Sequence, residues 1–251
     1  MGAMRRGGRW GHLIVAALLV AIVVGAYWLK VSPTSAISGG GGRQSTDLLL
    51  AHGVGLHNAG QYDAALEAYR KILEREPAHA RAHYNIGQIH NVRGQDADAQ
   101  REYEAALAGD PGFLDARLNL GVVLYRQRQF SSAAHAFRQV LQVSPTHSLA
   151  LFNLGISLLE LGQTDEAIRW LRVALREDVK RADTHYYLGL ALERRGQLSE
   201  ARAALLKATE LNPRHAEGYR ALARVYLAQD RRHLAVEALA RAAELSLGRQ
   251  P

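Results

Sequence analysis

Three asparagines stand at a constant interval of thirty-four residues, at Asn85, Asn119 and Asn153. An amide side chain carries both donors and an acceptor, so a row of amides can pair with successive peptide units of an extended chain whatever its side chains. If the units that carry them are packed helices about 10 Å apart, each amide meets roughly every third residue of a strand rising about 3.3 Å per residue. Such bonds contribute only about 0.5 to 1.5 kcal/mol each. Affinity then has to come from apolar neighbours. In the same registers these are Tyr84, Leu118, Phe152 and Tyr186 one position earlier, and Val122, Ile156 and Leu190 one turn later. This is binding chemistry, and the other residue sets do not replace it with turnover. The eleven histidines are dispersed: His79, His147 and His215 each follow a proline by two residues, and His83 and His185 share one register without an HExxH pattern. A structural role fits them better than a metal site. The run Gly39 to Gly42 lacks the lysine of a phosphate loop, and no GxSxG elbow exists. With no cysteine, disulfides, thiolate metal sites, cysteine nucleophiles and an acylated lipid anchor are excluded. The expectation is a protein without catalytic residues, metal or cofactor.

The elements that position these residues are read from Leu114 to His147. Apolar residues recur there every three or four positions, which is helical spacing. The pattern predicts a helix over 116 to 126, a turn over 127 to 129, a second helix over 131 to 142, and a stop at Pro145. Leu120, Leu124, Phe130, Phe137 and Val140 share the inner face of that hairpin. Gly121 and Ala133 supply small surfaces where its helices approach. The pattern returns in both directions with no insertion or deletion. Its small helix-one residues are Gly53, Gly87, Gly121, Gly155, Gly189 and Ala223, and its helix-two alanines are Ala65, Ala99, Ala133, Ala167, Ala201 and Ala235. Six units follow: 46–79, 80–113, 114–147, 148–181, 182–215 and 216–249. Units that touch only their neighbours build an elongated solenoid.

Leu120, Gly121, Leu124, Ala133, Phe137 and Pro145, with Gly53, Leu56, Ala65, Tyr69 and Pro77 in the first unit, resemble the tetratricopeptide repeat. The resemblance implies an all-α, right-handed superhelical solenoid of six helical hairpins whose first helices line a concave groove. There the asparagines are similar to the ladder in the repeat region of O-linked N-acetylglucosamine transferases, which holds the main chain of an extended peptide. The resemblance does not extend to the carboxylate clamp of chaperone-binding repeats, because Leu50, Val54 and Leu118 stand where polar groups are needed.

A pI of about 9.9 suggests nucleic acid until the charges are placed. Within the repeats 26 basic residues face 24 acidic ones, which is no nucleic-acid footprint. The first two units are acidic and the surplus of positive charge begins at the third.

Before the repeats, residues 1–12 are basic and residues 13–29 carry no charge. At about 1.5 Å per residue that run reaches roughly 25 Å, the short end of a membrane span. Three arginines precede it and one lysine follows. By the positive-inside rule the N-terminus stays cytoplasmic and the repeats cross, with Tyr27 and Trp28 as interfacial anchors. A cleaved signal ending near Ala36 or Ser38 gives the repeats the same address. Ala17, Ala21 and Gly25 place three small residues on one face of the span, where a second helix can pack. Residues 30–45, with Pro33, serines and four glycines, read as a flexible linker.

Two breaks interrupt the pattern. Val179 stands where a proline is expected, which lets the helix run on through Asp178 to Ala182. The last helix, 233–247, carries Leu234, Val236, Leu239 and Leu245 with no capping helix after it. That end is expected to dock a partner or a second copy of the chain. The sequence thus reads as a single-pass inner-membrane scaffold whose repeats lie in the periplasm. It would bind protein partners in assembly, secretion or maturation of an envelope complex. The alternatives are a permanent accessory subunit of a membrane enzyme and a cytoplasm-facing adaptor.

Overall fold

The computed structural model describes residues 41–247. The expected basic N-terminus, the membrane span with Ala17, Ala21 and Gly25, and most of the linker lie outside the described residues. Among the described residues there are twelve helices and no strand, and no helix is long and apolar enough to cross a membrane. They are α1 (Gly41–Asn58), α2 (Tyr62–Leu73), α3 (Ala80–Val92), α4 (Asp96–Gly109), α5 (Leu114–Arg126), α6 (Phe130–Val143), α7 (Ser148–Glu160), α8 (Thr164–Glu177), α9 (Ala182–Arg194), α10 (Leu198–Leu211), α11 (Ala216–Ala228) and α12 (Arg232–Ser246). The chain divides into two units at Leu48, and of the first the described part is the opening turns of α1. α1 begins at Gly41, inside the stretch assigned to the linker. Arg43 and Gln44 are good helix formers, and no proline follows them before the first turn.

From Leu49 onward the chain is a run of helical hairpins, each packed on the next. What sets the spacing inside a hairpin is a glycine facing a large side chain sixteen residues later. A Cβ at Gly53 would stand 2.5 Å from the Tyr69 ring, at Gly87 2.7 Å from Tyr103, and at Gly121 2.6 Å from Phe137. Gly155 and Gly189 meet Leu171 and Leu205 in the same way. All five large partners are fully buried, and so are the helix-two alanines of the same hairpins.

The turn inside each hairpin is also built to one plan. Gly60, Gly94, Arg128, Gly162, Gly196 and Asp230, again thirty-four apart, all take positive φ, from 56° to 80°. The residue after each donates its backbone N–H to the carbonyl five residues back, as Gln95 does to His90 and Gln129 to Leu124, both at 2.9 Å. This is the closing bond of a left-handed helix C-terminus, where a glycine is favoured because it has no Cβ.

Between hairpins, His79 and His147 cap α3 and α7, each Nδ1 accepting from the backbone N–H three residues on, at 3.1 and 3.3 Å. The missing proline at Val179 does not extend a helix. α8 ends at Glu177 and α9 starts at Ala182, as in the other hairpins. The turn is held without proline: the Asp178 carboxylate accepts from the Lys180 backbone at 3.3 Å, the bond that Asp110 and Asn212 make in turns that have the proline, and it pairs with Arg181 at 3.2 Å.

Consecutive first helices approach each other more closely than second helices do: α5 touches α7, α7 touches α9, and α9 touches α11. The first-helix layer is therefore the inner, concave side. Long arginines bridge the wider outer gap in register, Arg138 to Glu166 at 2.9 Å and Arg172 to Glu200 at 2.7 Å. The Arg138 hydrogen bond holds the Glu166 carboxyl below its usual range. These exposed pairs are worth little as stability, but they recur at one spacing and so fix which residues face each other.

Two substitutions separate the two kinds of glycine position. Arg128 takes a left-handed conformation that L side chains pay for, so Arg128→Gly raises stability by about 0.5 to 1 kcal/mol in chemical denaturation. Gly121→Ala, which drives a methyl into Phe137, lowers it by about 1 to 3 kcal/mol.

Candidate functional site

The inner surface is lined by α3, α5, α7, α9 and α11, and the structure sorts the expected site residues into three groups. The first group is buried. Tyr84, Leu118, Phe152 and Ile156 are each less than a tenth exposed, and so offer a ligand little surface. They come from two registers, in which Tyr186, Val122 and Leu190 stay accessible, so burial differs from hairpin to hairpin at equivalent positions. Leu118, Phe152 and Ile156 belong to the continuous apolar core of hairpins three to six. Phe152 is further covered by the Tyr187 ring at 5.7 Å and by the Arg181 guanidinium, also 5.7 Å away.

The second group is the asparagines, and they are not equivalent. Asn119 is 8 % exposed, and its Nδ2 donates to the Tyr84 hydroxyl of the preceding hairpin at 3.3 Å. The same hydroxyl accepts from Gln88 Nε2 at 2.9 Å, and burial holds it far above the ordinary tyrosine range. Asn119 is therefore committed to the stack, where a free groove amide was expected. Asn85 and Asn153 are half-buried, and their side-chain amides have no hydrogen bond among the described residues. Arg126 ties α5 to α3 and α4 through Asn91 and Asp96.

Val122, Tyr186 and Leu190 form the third group, half-buried and accessible on the inner face. The structure adds residues to them that were not singled out from the sequence. Tyr187 occupies the asparagine register one repeat beyond Asn153, and Tyr125 lies one turn past Val122 along α5. Both are half-buried, both hydroxyls feel the Glu160 carboxylate, and each is held far above its ordinary range mainly by burial. Tyr186 packs edge-on to Tyr187 at 5.1 Å and to His215 at 4.5 Å, with its hydroxyl pushed up to about 12, again mainly by burial. Near neutral pH all three are uncharged hydroxyls on apolar rings. Continuing the asparagine register by one step would have found Tyr187; no sequence signal marks Tyr125. Toward α11 the surface becomes ionic, where Arg224 makes two bonds to Glu193 at 2.9 and 2.7 Å.

At the far end, Val236 is 66 % and Leu239 47 % exposed, while Leu234 and Leu245 are half-buried. Val236, Leu239, Ala240, Ala243 and Leu247 follow one another at helical spacing along the exposed face of α12. In hairpins one to five the residue matching Leu239 is fully buried.

Comparison with known proteins gives a consistent result. A tetratricopeptide repeat family model matches residues 50–112, 93–130 and 118–182, and a second one matches residues 182–215. No curated protein matches the chain. Among solved structures the chain is similar to Pseudomonas aeruginosa PilF, with 22 % identity over 79 % of this chain and 90 % of that one, and a TM-score of 0.66. It is similar to MamA from Desulfovibrio magneticus RS-1, at 24 % identity over 68 % and 97 %, with a TM-score of 0.64. YrrB, described as a repeat protein with an unusual peptide-binding site, is 23 % identical over 72 % and 93 %, with a TM-score of 0.60. At such identities the likeness is one of fold.

The burial of Asn119 sets an expectation for its removal. Asn119→Ala lowers stability by about 1 kcal/mol because it strips a buried hydroxyl of one donor, whereas Asn153→Ala leaves the unfolding midpoint unchanged. Urea denaturation of both variants checks the contrast.

Proposed function

The chain belongs to the tetratricopeptide repeat family, and on that premise we propose that it is a non-catalytic scaffold that holds an extended segment of a partner protein on its inner surface. The observation that carries this reading is the accessible strip on α5, α7 and α9. Val122, Tyr125, Asn153, Tyr186, Tyr187 and Leu190 combine apolar area with uncharged hydroxyls and a free amide. Aromatic rings give contact area at small entropic cost, and an unpaired amide reads a peptide backbone without regard to its side chains. The buried positions serve the stack instead, so the ligand surface is shorter than the full asparagine series and is centred on hairpins three to five. The peptide site named for YrrB supports the same use of this architecture.

The uncharged run at 13–29 and the arginines before it favour a scaffold anchored in the inner membrane with its repeats in the periplasm, serving assembly, secretion or maturation of an envelope complex. The bare apolar stripe on α12 supports a second contact there, with a folded partner or another copy of the chain. A permanent place in a membrane enzyme would give the same features, and a stoichiometric companion after purification in mild detergent is its mark.

Asn153→Ala is expected to weaken binding of an extended peptide by about 1 kcal/mol with the fold intact. Fluorescence anisotropy against an unstructured peptide library reads this, and unchanged affinity after changing Asn85, Asn153 and Tyr187 together would remove the groove from the account. A reporter fused after Pro251 that is active only in the periplasm supports the orientation, and a cytoplasmic signal reverses it.

A further inference from the structure

The outer surface carries an open depression of about 330 Å³ between α8 and α10, floored by α9. Its apolar part comes from Leu175, Leu188 and Leu192, and Arg172, His185 and Lys207 stand among the groups around it. Two small residues of α10, Ala203 and Ala204, line one side of it. The register of Ala203 reads Glu67, Arg101, His135, Arg169, Ala203 and Glu237, so only the fifth hairpin has an alanine where the others carry a long polar side chain. The next register reads Ala68, Glu102, Ala136, Trp170, Ala204 and Ala238, so hairpin five has alanine where hairpin two carries a carboxylate.

Hairpin two shows what those positions do when filled. His83 and His185 share one register, and each bonds through Nε2 to a main-chain carbonyl six residues earlier, Pro77 or Val179, in both cases at 2.9 Å. In hairpin two the other ring nitrogen, Nδ1, meets the Glu102 carboxylate at 2.7 Å. In hairpin five that carboxylate is replaced by the methyl of Ala204, and His185 Nδ1 has no partner among the described residues. The rim charges are arranged to admit an anion. Glu200 is occupied by Arg172 at 2.7 Å and by Gln197 at 2.9 Å, and Lys207 is held only by an exposed pair with Glu210.

We propose that this outer depression binds an aliphatic carboxylate, which supplies to His185 the carboxyl group that Glu102 supplies to His83. Because Nε2–H is given to the Val179 carbonyl, the carboxylate accepts from Nδ1–H of the doubly protonated His185 ring near Lys207, so that binding takes up a proton, and the alkyl chain lies on Leu175, Leu188 and Leu192. The volume is at the lower end of the range for small-molecule sites, which suits a short chain. The site faces away from the peptide surface and stands independently of it.

The test is titration of the full-length protein with hexanoate and with hexanamide, followed by the His185 ring resonances, which are assigned by their loss in His185→Gln. Hexanoate is expected to shift them saturably, with hexanamide at least tenfold weaker. Ala204→Glu rebuilds the hairpin-two arrangement and should weaken hexanoate at least tenfold while the helical circular dichroism is kept. If that variant does not fold, Ala203→Arg, which fills the notch from its edge, is read in the same way. Equal binding of acid and amide, or full affinity in a folded variant with the depression filled, overturns the proposal. Running N-acetyl-leucyl-glutamate amide beside hexanoate identifies the source: tighter binding of the peptide points to an acidic protein segment, and tighter binding of hexanoate to a free amphiphile.

Discussion

The contact on which the structure depends is a glycine Cα pressed against a ring or a branched side chain. It draws the two helices of a hairpin together at one point, and the same point recurs in the next hairpin because the interval never varies. Once that distance is fixed, the helix-two alanine can be buried and the left-handed turn closes at the same residue each time. The first helices then come close enough to form a continuous inner layer. The last hairpin departs from this rule. Ala223 replaces the glycine, and its partner Leu239 is the one large residue of the series left exposed. Two causes act together there: the added methyl takes up the space, and among the described residues no further hairpin covers the leucine.

Much of this is legible in the chain because it is local. Helical spacing, the small residues at close approaches and the interval of thirty-four need only neighbouring residues to be read. The turn register is partly hidden, since Arg128 and Asp230 adopt by force of context what glycine adopts freely at the other four turns. The turn at Val179 is hidden differently. A proline was missing, but the residue before it closes the turn by hydrogen bonding, as Asp110 and Asn212 also do, and a reading that rests on the proline alone overlooks that bond.

The candidate surface was legible only in outline. Three asparagines in one register look alike in the sequence, yet Asn119 is removed from the surface because Tyr84, in the hairpin before, offers it a hydroxyl. Such a difference is decided between repeats, thirty-five residues away, and no periodicity contains it. Phe152 is covered for the same kind of reason, by Tyr187 from the hairpin after and by Arg181 in the turn that leads to it. Register assigns a residue to a helix face, and its neighbours then decide whether that face is seam or surface.

The apolar interior is not evenly joined. Hairpins three to six share one unbroken cluster, while the first two are held by smaller clusters around Tyr69 and around Tyr103. In a linear stack, cohesion is a sum over joints, and cooperativity fails first where a joint is thin. A load applied from the amino-terminal side therefore meets the weak joints first. The leading hairpins can fray and re-form as a compliant spring while the block that carries the aromatic strip keeps its shape.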